Sequence, residues 1–299
     1  MARDIIIMIE GGAMLGVFGA GVVTAFQEAD IYPRIHSVYG ASAGAHDLAY
    51  FLAAQADSRQ ARVGSSIYYE DLIGRRFINP SRFFVYIWDL IVRRFRPRHA
   101  VRHILDLDYI IHVEQTVKKL DVRALVGQLI PFYIAAYDVA RGQVVFLDGK
   151  QDTFQTLKAS STASPFYANT VEVRGRQYLD GGLIQDWDVE KIVREHPEKK
   201  IVYVINNKKN PWFTGFVLPY YLLEAVLNLM CFGWKISWSR LKNSFAYETK
   251  KKLFKFPNVT VVSNVLEFTN SITDKAVLLS IYEHGLVKGR EALVRLGLA

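Results

Sequence analysis

The chain has 299 residues, of which 51% are hydrophobic and 22% charged, a composition typical of a globular protein with one large α/β domain or two small ones. Its single cysteine, Cys231, excludes an intrachain disulfide and is consistent with a reducing compartment. The formal charge of +8 is compatible with a nucleic acid partner, with an anionic membrane surface or with neither.

The N-terminal residues predict a strand, a glycine-rich turn and a helix. A mostly β-branched run over residues 4–10 is typical of a strand buried on both faces of a parallel sheet, and an apolar helix is predicted over 17–29. The G-G-A-M-L-G turn between them lacks the lysine of a phosphate loop, and the glycines that would fit a Rossmann pattern fall inside the helix. We therefore expect the N–H groups of Gly11, Gly12 and Ala13 to form an anion-binding concavity.

A serine stands at the next junction between a predicted strand, residues 31–39, and a predicted helix, residues 45–55. The junction reads G-A-S-A-G, and glycines two positions before and after Ser42 let neighbouring backbones approach without a Cβ clash, as in a nucleophile elbow. Such a turn exposes the serine hydroxyl at a helix N-terminus, where N–H groups and the helix dipole favour negative charge. A tight turn without chemistry is the alternative interpretation.

The middle of the chain is less regular. Aromatic residues alternate with arginines from Arg82 to Arg102, and residues 108–119 fit either a strand or a short helix. Strands are predicted over 132–138 and 143–147, and a helix over 156–164 ends before Pro165.

An aspartate ends the next pair of predicted strands. These strands lie within residues 170–179 and lead into Asp180-Gly181-Gly182, which would place the carboxylate at the carboxyl edge of the sheet, where open α/β sheets hold their sites. An aspartate can serve as a base when it is partly desolvated and within reach of a hydroxyl. A plain turn is the alternative, since aspartate and glycine are both common in turns.

The C-terminal third is the most apolar part. Residues 217–234 have the length of a membrane span, but Pro219, Glu224 and Asn228 lie within it, which favours a helical cap or an interfacial segment. The remaining predicted elements are a helix over 189–195, a strand over 200–205, a strand over 258–263 and a helix over 274–296.

The alternation of strands and helices predicts an α/β fold with a mostly parallel sheet flanked by helices on both faces. We see no linker or repeat, so one domain over 1–299 is expected, with the helical, aromatic-rich region as its cap. Its parts are a motif-bearing core over 4–207, an apolar and basic helical segment over 211–255, and a strand and helix over 258–299.

Three motifs in this order resemble those of the patatin-like phospholipases, and most closely those of their bacterial branch. They are E-G-G-A-M-L-G at residues 10–16, G-A-S-A-G at 40–44 and D-G-G at 180–182, and A-S-S-T-A-S-P at 159–165 is also similar. The resemblance covers roughly residues 4 to 207. It implies a lipid acyl hydrolase with a Ser–Asp dyad and without histidine, cofactor or metal.

Carried over residue by residue, the resemblance makes Ser42 the nucleophile and Asp180 the base, and the N–H groups of Gly11, Gly12 and Ala13 hold the oxyanion. The motif glycines that it implies are Gly16, Gly40, Gly44, Gly181 and Gly182.

The sequence departs from the family pattern at three places. Ala13 and Leu15 stand where the family usually has a glycine and a basic residue, and alanine restricts φ if the loop needs a positive value. Asp186-Trp187-Asp188 occupies the region where the family often has a proline. These departures motivate one alternative, a non-catalytic or weakly active lipid-binding protein.

Histidines support a second alternative, an α/β-hydrolase esterase with a Ser-Asp-His triad. Its base would be His196 or His284, although the elbow comes early in the chain for that fold. His46, four residues after Ser42, could face the same side of its helix, but a partly exposed helix histidine is the favoured interpretation.

The expected partner is a lipid substrate. The segments Arg82 to Arg102 and Trp212 to Lys255 both mix aromatic and basic residues, which predicts peripheral contact with an anionic membrane. Packing on the core or a dimer contact is the alternative for both, and nucleic acid binding has only charge in its favour. The first apolar run is too short for a signal peptide, so the expected location is the cytoplasm, with peripheral attachment to the inner membrane surface.

Overall fold

The computed structural model describes residues 3–56, 66–73, 77–184, 187–206, 214–245, 255–266, 272 and 274–298. The strands of these residues form one eight-stranded sheet. They are β1 (Ile5–Ile9), β2 (Ile35–Ala41), β3 (Phe132–Asp138), β4 (Gln143–Asp148), β5 (Val171–Val173), β6 (Arg176–Asp180), β7 (Lys200–Ile205) and β8 (Val259–Ser263).

Helices precede, connect and follow these strands. They are α1 (Val17–Glu28), α2 (Ala43–Leu52), α3 (Phe83–Phe95), α4 (Leu107–His112), α5 (Val122–Gly127), α6 (Thr153–Ser160), α7 (Gly181–Ile184), α8 (Val189–Glu195), α9 (Thr214–Phe232), α10 (Trp234–Phe245) and α11 (Lys275–Leu296).

The sheet is mostly parallel, as predicted. Its order is β5-β6-β3-β2-β1-β7-β8, and the pairs from β3 through β2, β1 and β7 to β8 are parallel. Strands β4, β5 and β6 form the antiparallel part, and β4 pairs with β3 off the main path. The five residues of β1 are all buried, which fits a central strand covered on both faces.

Two apolar layers cover the two faces of the sheet. On one face, Ile5, Ile7 and Ile9 of β1 pack in the same core as residues of α1, α2, α6 and α11. On the other face, Ile6 and Met8 share a smaller core with residues of α8. The alternation of consecutive β1 side chains between the two cores follows from the two-residue period of a strand.

Strand β3 has an edge that two other strands share. Strand β2 pairs in parallel with the first half of β3 and ends where Ala41 lies opposite Ala135. Strand β6 pairs antiparallel with the second half and ends where Asp180 lies opposite Ala136. Because β4 occupies the other edge of β3 over residues 133–138, the carboxyl ends of β2 and β6 meet head to head. The sequence located this end of the sheet, but it did not predict that β6 runs antiparallel.

Helices α1 and α11 pack closely through glycines. A Cβ atom on Gly21 would lie 2.1 Å from the carbonyl oxygen of Tyr282, and one on Gly285 would lie 2.1 Å from that of Phe18. Backbone therefore touches backbone at this crossing, and side chains larger than hydrogen do not fit between the helices.

Several predicted boundaries differ from the observed ones. Strand β2 begins later than predicted because Tyr32–Arg34 forms a 3-10 turn, and the undecided residues 108–119 are helical, with a π-turn at Val113–Val117 after α4. The predicted apolar segment forms parts of α9 and α10, and within the described ranges no helix is both long and apolar enough to cross a membrane. Trp212 and Lys250 to Lys252, which belong to the predicted membrane segment, lie outside the described residues.

We expect Gly285→Ala to lower the free energy of unfolding by about 3 kcal/mol, because the new methyl group would meet the backbone of Phe18 and force α1 and α11 apart. Urea unfolding measures the change. Gly127→Ala is the control, since a Cβ at Gly127 would meet no atom within 4 Å, and its free energy of unfolding should be unchanged or slightly raised. Equal stability of the two variants would contradict the close crossing.

Candidate active site

Ser42 occupies a strained turn between β2 and α2. It is the N-cap residue of α2, with φ 49° and ψ −126°, a conformation that L-residues rarely adopt and that costs on the order of 1–3 kcal/mol. The turn is tight because Cβ atoms on Gly40 and Gly44 would lie 2.6 Å from the Cα of Ala45 and 2.5 Å from the carbonyl oxygen of Ile9. The sequence-predicted elbow is thus present as a backbone geometry.

The carboxylate of Asp180 meets Ser42 at the junction of the two strand ends. Asp180 is only 3% exposed, and the Ser42 side chain lies close enough to its carboxylate to favour the ionised form. Its Oδ1 accepts a hydrogen bond from the N–H of Leu183 at 3.0 Å, and the backbone of Gly182 also favours the ionised form of this carboxylate. The first turn of α7 therefore binds the carboxylate, and the position of Asp180 at the end of β6 places the carboxylate near the serine.

Burial raises the pKa of Asp180 from 3.8 to about 6. The Ser42 side chain, the backbone of Leu183 and Gly182, and the charge of Arg240 oppose the shift because they favour the ionised form. The result is a carboxylate that is ionised at neutral pH and yet more basic than an exposed one. Such a group can accept a proton from a hydroxyl that comes within hydrogen-bond reach.

The glycine-rich loop lies against the serine. A Cβ on Gly11 would be 3.0 Å from the Cβ of Ser42, so only glycine allows this approach. Among the described residues, none accepts a hydrogen bond from the N–H of Gly11, Gly12 or Ala13. Ala13 has a φ of 49°, so the loop does require the left-handed conformation there, and alanine adopts it in place of the usual glycine.

The other motif glycines also mark close contacts around the site. A Cβ on Gly16 would lie 2.6 Å from that of Ala43, and a Cβ on Gly181 would lie 2.8 Å from the backbone nitrogen of Ala136. A Cβ on Gly182 would lie 3.3 Å from that of Ala41.

The residues that depart from the family pattern have structural roles. Leu15 is 1% exposed and packs in the larger core, so a basic residue at this position would bury its charge. Trp187 is buried against α8, and the Asp188 side chain caps that helix by accepting from the N–H of Lys191. Asp186 lies outside the described residues.

Asn206 is a site residue that the sequence did not reveal. It follows β7, is fully buried, and its side chain donates to the carbonyl of Glu10 at 2.6 Å and accepts from the N–H of Gly19 at 2.9 Å. These two bonds join the residue before the glycine-rich loop to the helix after it. The only sequence signal was an amide side chain at the carboxyl end of a predicted buried strand.

The structure places the candidate histidines away from the serine hydroxyl. His46 is buried, which corrects the expectation of a partly exposed side chain, and its ring lies 2.5 Å from Glu114 Oε1 and 2.7 Å from Ser161 Oγ. The His196 ring packs near that of His36, and the His284 ring near that of Phe18. In the described part of the chain, no histidine forms a hydrogen bond with Ser42.

Comparison with known proteins places the motifs in a family. The sequence profile described as Patatin-like phospholipase matches residues 7–190 of this chain. The uncharacterized protein YjjU of Escherichia coli K12 is 28% identical over 206 residues, which are 66% of this chain and 51% of that protein. The chain therefore spans about half the length of this curated relative.

Two solved structures overlap with the fold at low sequence identity. VipD from Legionella pneumophila is 12% identical with a TM-score of 0.47, and the overlap covers 98% of this chain and 67% of that one. The ExoU–SpcU complex from the type III secretion system of Pseudomonas aeruginosa is 12% identical with a TM-score of 0.37, covering 98% and 52%. Both scores are below 0.5, which is too low to support an inference about function.

Proposed function

The chain belongs to the patatin-like phospholipase family, and we propose that it is a serine acyl hydrolase that cleaves fatty-acyl esters of lipids through Ser42 and Asp180. The observation that carries the proposal is that the ends of β2 and β6 meet on β3, which brings the buried Asp180 carboxylate to a serine in a strained elbow. Phospholipids and lysophospholipids are the proposed substrate class.

In the first step, Ser42 Oγ attacks the carbonyl carbon of the ester while its proton passes to the Asp180 carboxylate. The carbonyl oxygen becomes an oxyanion, and the N–H groups of Gly11, Gly12 and Ala13 donate to it. When the tetrahedral intermediate collapses, the C–O bond to the alcohol breaks. The leaving alcohol takes the proton from Asp180, and an acyl ester on Ser42 remains.

In the second step, water attacks the acyl ester on Ser42 and gives its proton to Asp180. Collapse of the second tetrahedral intermediate breaks the bond to Ser42 Oγ, which recovers the proton from Asp180. The fatty acid leaves, and the pair returns to its starting state. Because the donors to the oxyanion are backbone groups, this scheme does not need a basic side chain at Leu15.

A surface suited to a lipid bilayer lies beside the site. One side of α3 packs through Tyr86 and Leu90 against Leu227 of α9, while its other side leaves Phe84, Trp88 and Phe95 between 62% and 82% exposed. The helices α9 and α10 add further exposed apolar residues, namely Leu222, Leu223, Val226, Leu229, Met230, Trp234 and Trp238. Aromatic and aliphatic groups of this kind bind well at the boundary between headgroups and acyl chains.

Positive charge accompanies this surface. Arg94, Arg96 and Arg98 are exposed at and after the end of α3, whereas Arg93 is engaged with Asn169 and with the carbonyl of Ala168. Basic residues near an anionic membrane each contribute about 1 kcal/mol of attraction. The three exposed arginines are therefore the residues of the predicted basic segment that we expect to contact lipid headgroups.

Helix α10 connects the apolar surface to the dyad. Asn243 donates to the carbonyls of Gly182 and Leu183 at 3.3 and 3.0 Å, and Ser239 donates to that of Ile184 at 3.3 Å. These contacts hold α10 against the short helix that follows Asp180. A bilayer bound to α3, α9 and α10 would therefore lie close to the proposed reaction centre.

We predict that Ser42→Ala and Asp180→Asn each reduce hydrolysis of a fatty-acyl ester by at least about 1,000-fold, because each removes one half of the proton transfer. The double variant should be little worse than either single one. Asp138→Asn is the matched control, because Asp138 is also a buried aspartate at a strand end but is bound to Arg141 and Arg176. It should keep its turnover number.

Retention of hydrolysis in Ser42→Ala would reject the assignment of the nucleophile. Loss of hydrolysis in Ser42→Ala with retention in Asp180→Asn would reject Asp180 as the base and favour a histidine-based esterase. A native protein with no hydrolytic activity on any acyl ester would favour the alternative of a lipid-binding protein, to which Ala13 and Leu15 point.

We predict that kcat/KM rises with pH through about 6 and is constant above about pH 7, because Asp180 must be ionised to accept the proton and burial raises its pKa to about 6. Below that value kcat/KM should fall about tenfold per pH unit. A pH profile with a water-soluble ester, from pH 4.5 to 8, measures this. A plateau that extends to pH 4.5 would show that the base has the pKa of an ordinary aspartate.

We predict that the protein binds vesicles containing anionic lipid at low salt and that the triple variant Arg94→Gln, Arg96→Gln, Arg98→Gln binds them at least about tenfold more weakly, as loss of three headgroup contacts requires. Vesicle flotation measures the binding. The control is the triple variant Arg123→Gln, Arg290→Gln, Arg295→Gln. These three arginines are also exposed but do not belong to α3, α9 or α10, so the control should bind vesicles like the native protein. Equal loss in both triple variants would indicate general electrostatic attraction instead of a defined surface.

A further inference from the structure

The end of α6 contacts the backbone of both proposed catalytic residues. The Ser160 side chain is fully buried and accepts a hydrogen bond from the N–H of Ser42 at 2.8 Å, while its hydroxyl donates to the carbonyl of Ala135 at 2.7 Å. Two residues later, the carbonyl of Thr162 accepts from the N–H of Asp180 at 3.1 Å. One short segment thus binds the serine on one side and the aspartate on the other.

The residue between them, Ser161, contacts a different part of α2. Ser161 Oγ lies 2.7 Å from Nε2 of His46, and Nδ1 of the same ring lies 2.5 Å from Glu114 in the π-turn after α4. His46 is one turn beyond Ser42 on α2, and these two contacts involve neither the backbone of Ser42 nor Asp180. Ser161 is at the C-terminal end of α6, where the helix dipole opposes developing negative charge, and this position argues against a second nucleophile there.

Ser42 needs an acceptor for its N–H because of its own backbone conformation. It follows the last residue of β2 and has a positive φ, so its N–H belongs neither to the sheet nor to the hydrogen-bonded turns of α2. An amide left without an acceptor at a half-buried site costs about 1–3 kcal/mol. The Ser160 hydroxyl satisfies this amide in the strained conformation that Ser42 adopts.

We propose that Ser160 is a positioning residue that holds Ser42 in the conformation in which its hydroxyl meets Asp180. The inference rests on the proposed function of Ser42 and Asp180 and adds a third residue to it. Ser160 acts through its hydrogen bond with the backbone N–H of Ser42 and does not take part in proton transfer. The bond from Asp180 to Thr162 fixes the other half of the pair to the same segment, so the end of α6 sets the spacing between them.

The test compares Ser160→Ala with Ser161→Ala. Both variants lose one buried serine hydroxyl from the same turn, but only the first loses the bond to Ser42. We expect Ser160→Ala to lower kcat by about 10- to 100-fold with KM within about twofold, because the loss affects orientation and not lipid binding. Ser161→Ala should keep kcat within about threefold. A thiol is a weaker hydrogen-bond acceptor than a hydroxyl, so the kcat of Ser160→Cys should lie between that of Ser160→Ala and that of the native protein.

Hydrogen exchange of the Ser42 amide provides a readout that does not depend on turnover. We expect its exchange to be at least about tenfold faster in Ser160→Ala than in Ser161→Ala, at equal global stability. Unchanged exchange, or equal loss of kcat in both variants, would overturn the role of Ser160. Failure of the proposed function is distinct, because it would appear as hydrolysis that survives in Ser42→Ala or as no hydrolysis by the native protein, whatever the exchange rate.

If Ser160→Ala does not fold, Ser160→Cys replaces it in both measurements. A Ser160→Cys variant that folds and keeps both native kcat and native exchange at Ser42 would overturn the proposal.

Discussion

Strand β2 pairs with only the first half of β3, and the candidate site depends on the half that remains free for another strand. Because β2 ends opposite Ala135, the same edge of β3 is free to pair with β6, whose last residue lies opposite Ala136. Backbone pairing with β3 therefore brings Ser42, just after β2, and Asp180, the last residue of β6, to one point. Residues far apart in the sequence therefore meet through the register of two ladders.

This arrangement has two unfavourable components, and neighbouring groups offset both. The positive φ of Ser42 is stabilised by the hydrogen bond from its N–H to Ser160, and the buried charge of Asp180 by the N–H groups of α7. The stabilisation of the carboxylate is incomplete, as its raised pKa shows, and this same deficit makes it a better base. Additional hydrogen bonds to Asp180 would stabilise its ionised form further, and the carboxylate would then be a weaker proton acceptor.

Local sequence patterns predicted the parts of the site that depend on neighbours in the chain. The strand, turn and helix around the glycine-rich loop, the elbow at Ser42 and the strand end at Asp180 all have short-range signals, and the structure contains each of them. The contacts of Ser160 and Asn206 have no such signal. Ser160 lies in the A-S-S-T-A-S-P motif, but its partner Ser42 is 118 residues away, and the Glu10 partner of Asn206 is 196 residues away. The burial of His46 against Glu114 was missed for the same reason.

Activation of Ser42 by Asp180 is tested by the rate at which a fluorophosphonate modifies the protein, with the adduct located by peptide mass spectrometry. Fluorophosphonates react with an activated serine hydroxyl and report the first chemical step without a lipid surface. We expect a single adduct on Ser42 and at least about 100-fold slower modification in Asp180→Asn. An adduct on another serine, or modification of Ser42 at the native rate in Asp180→Asn, would contradict it.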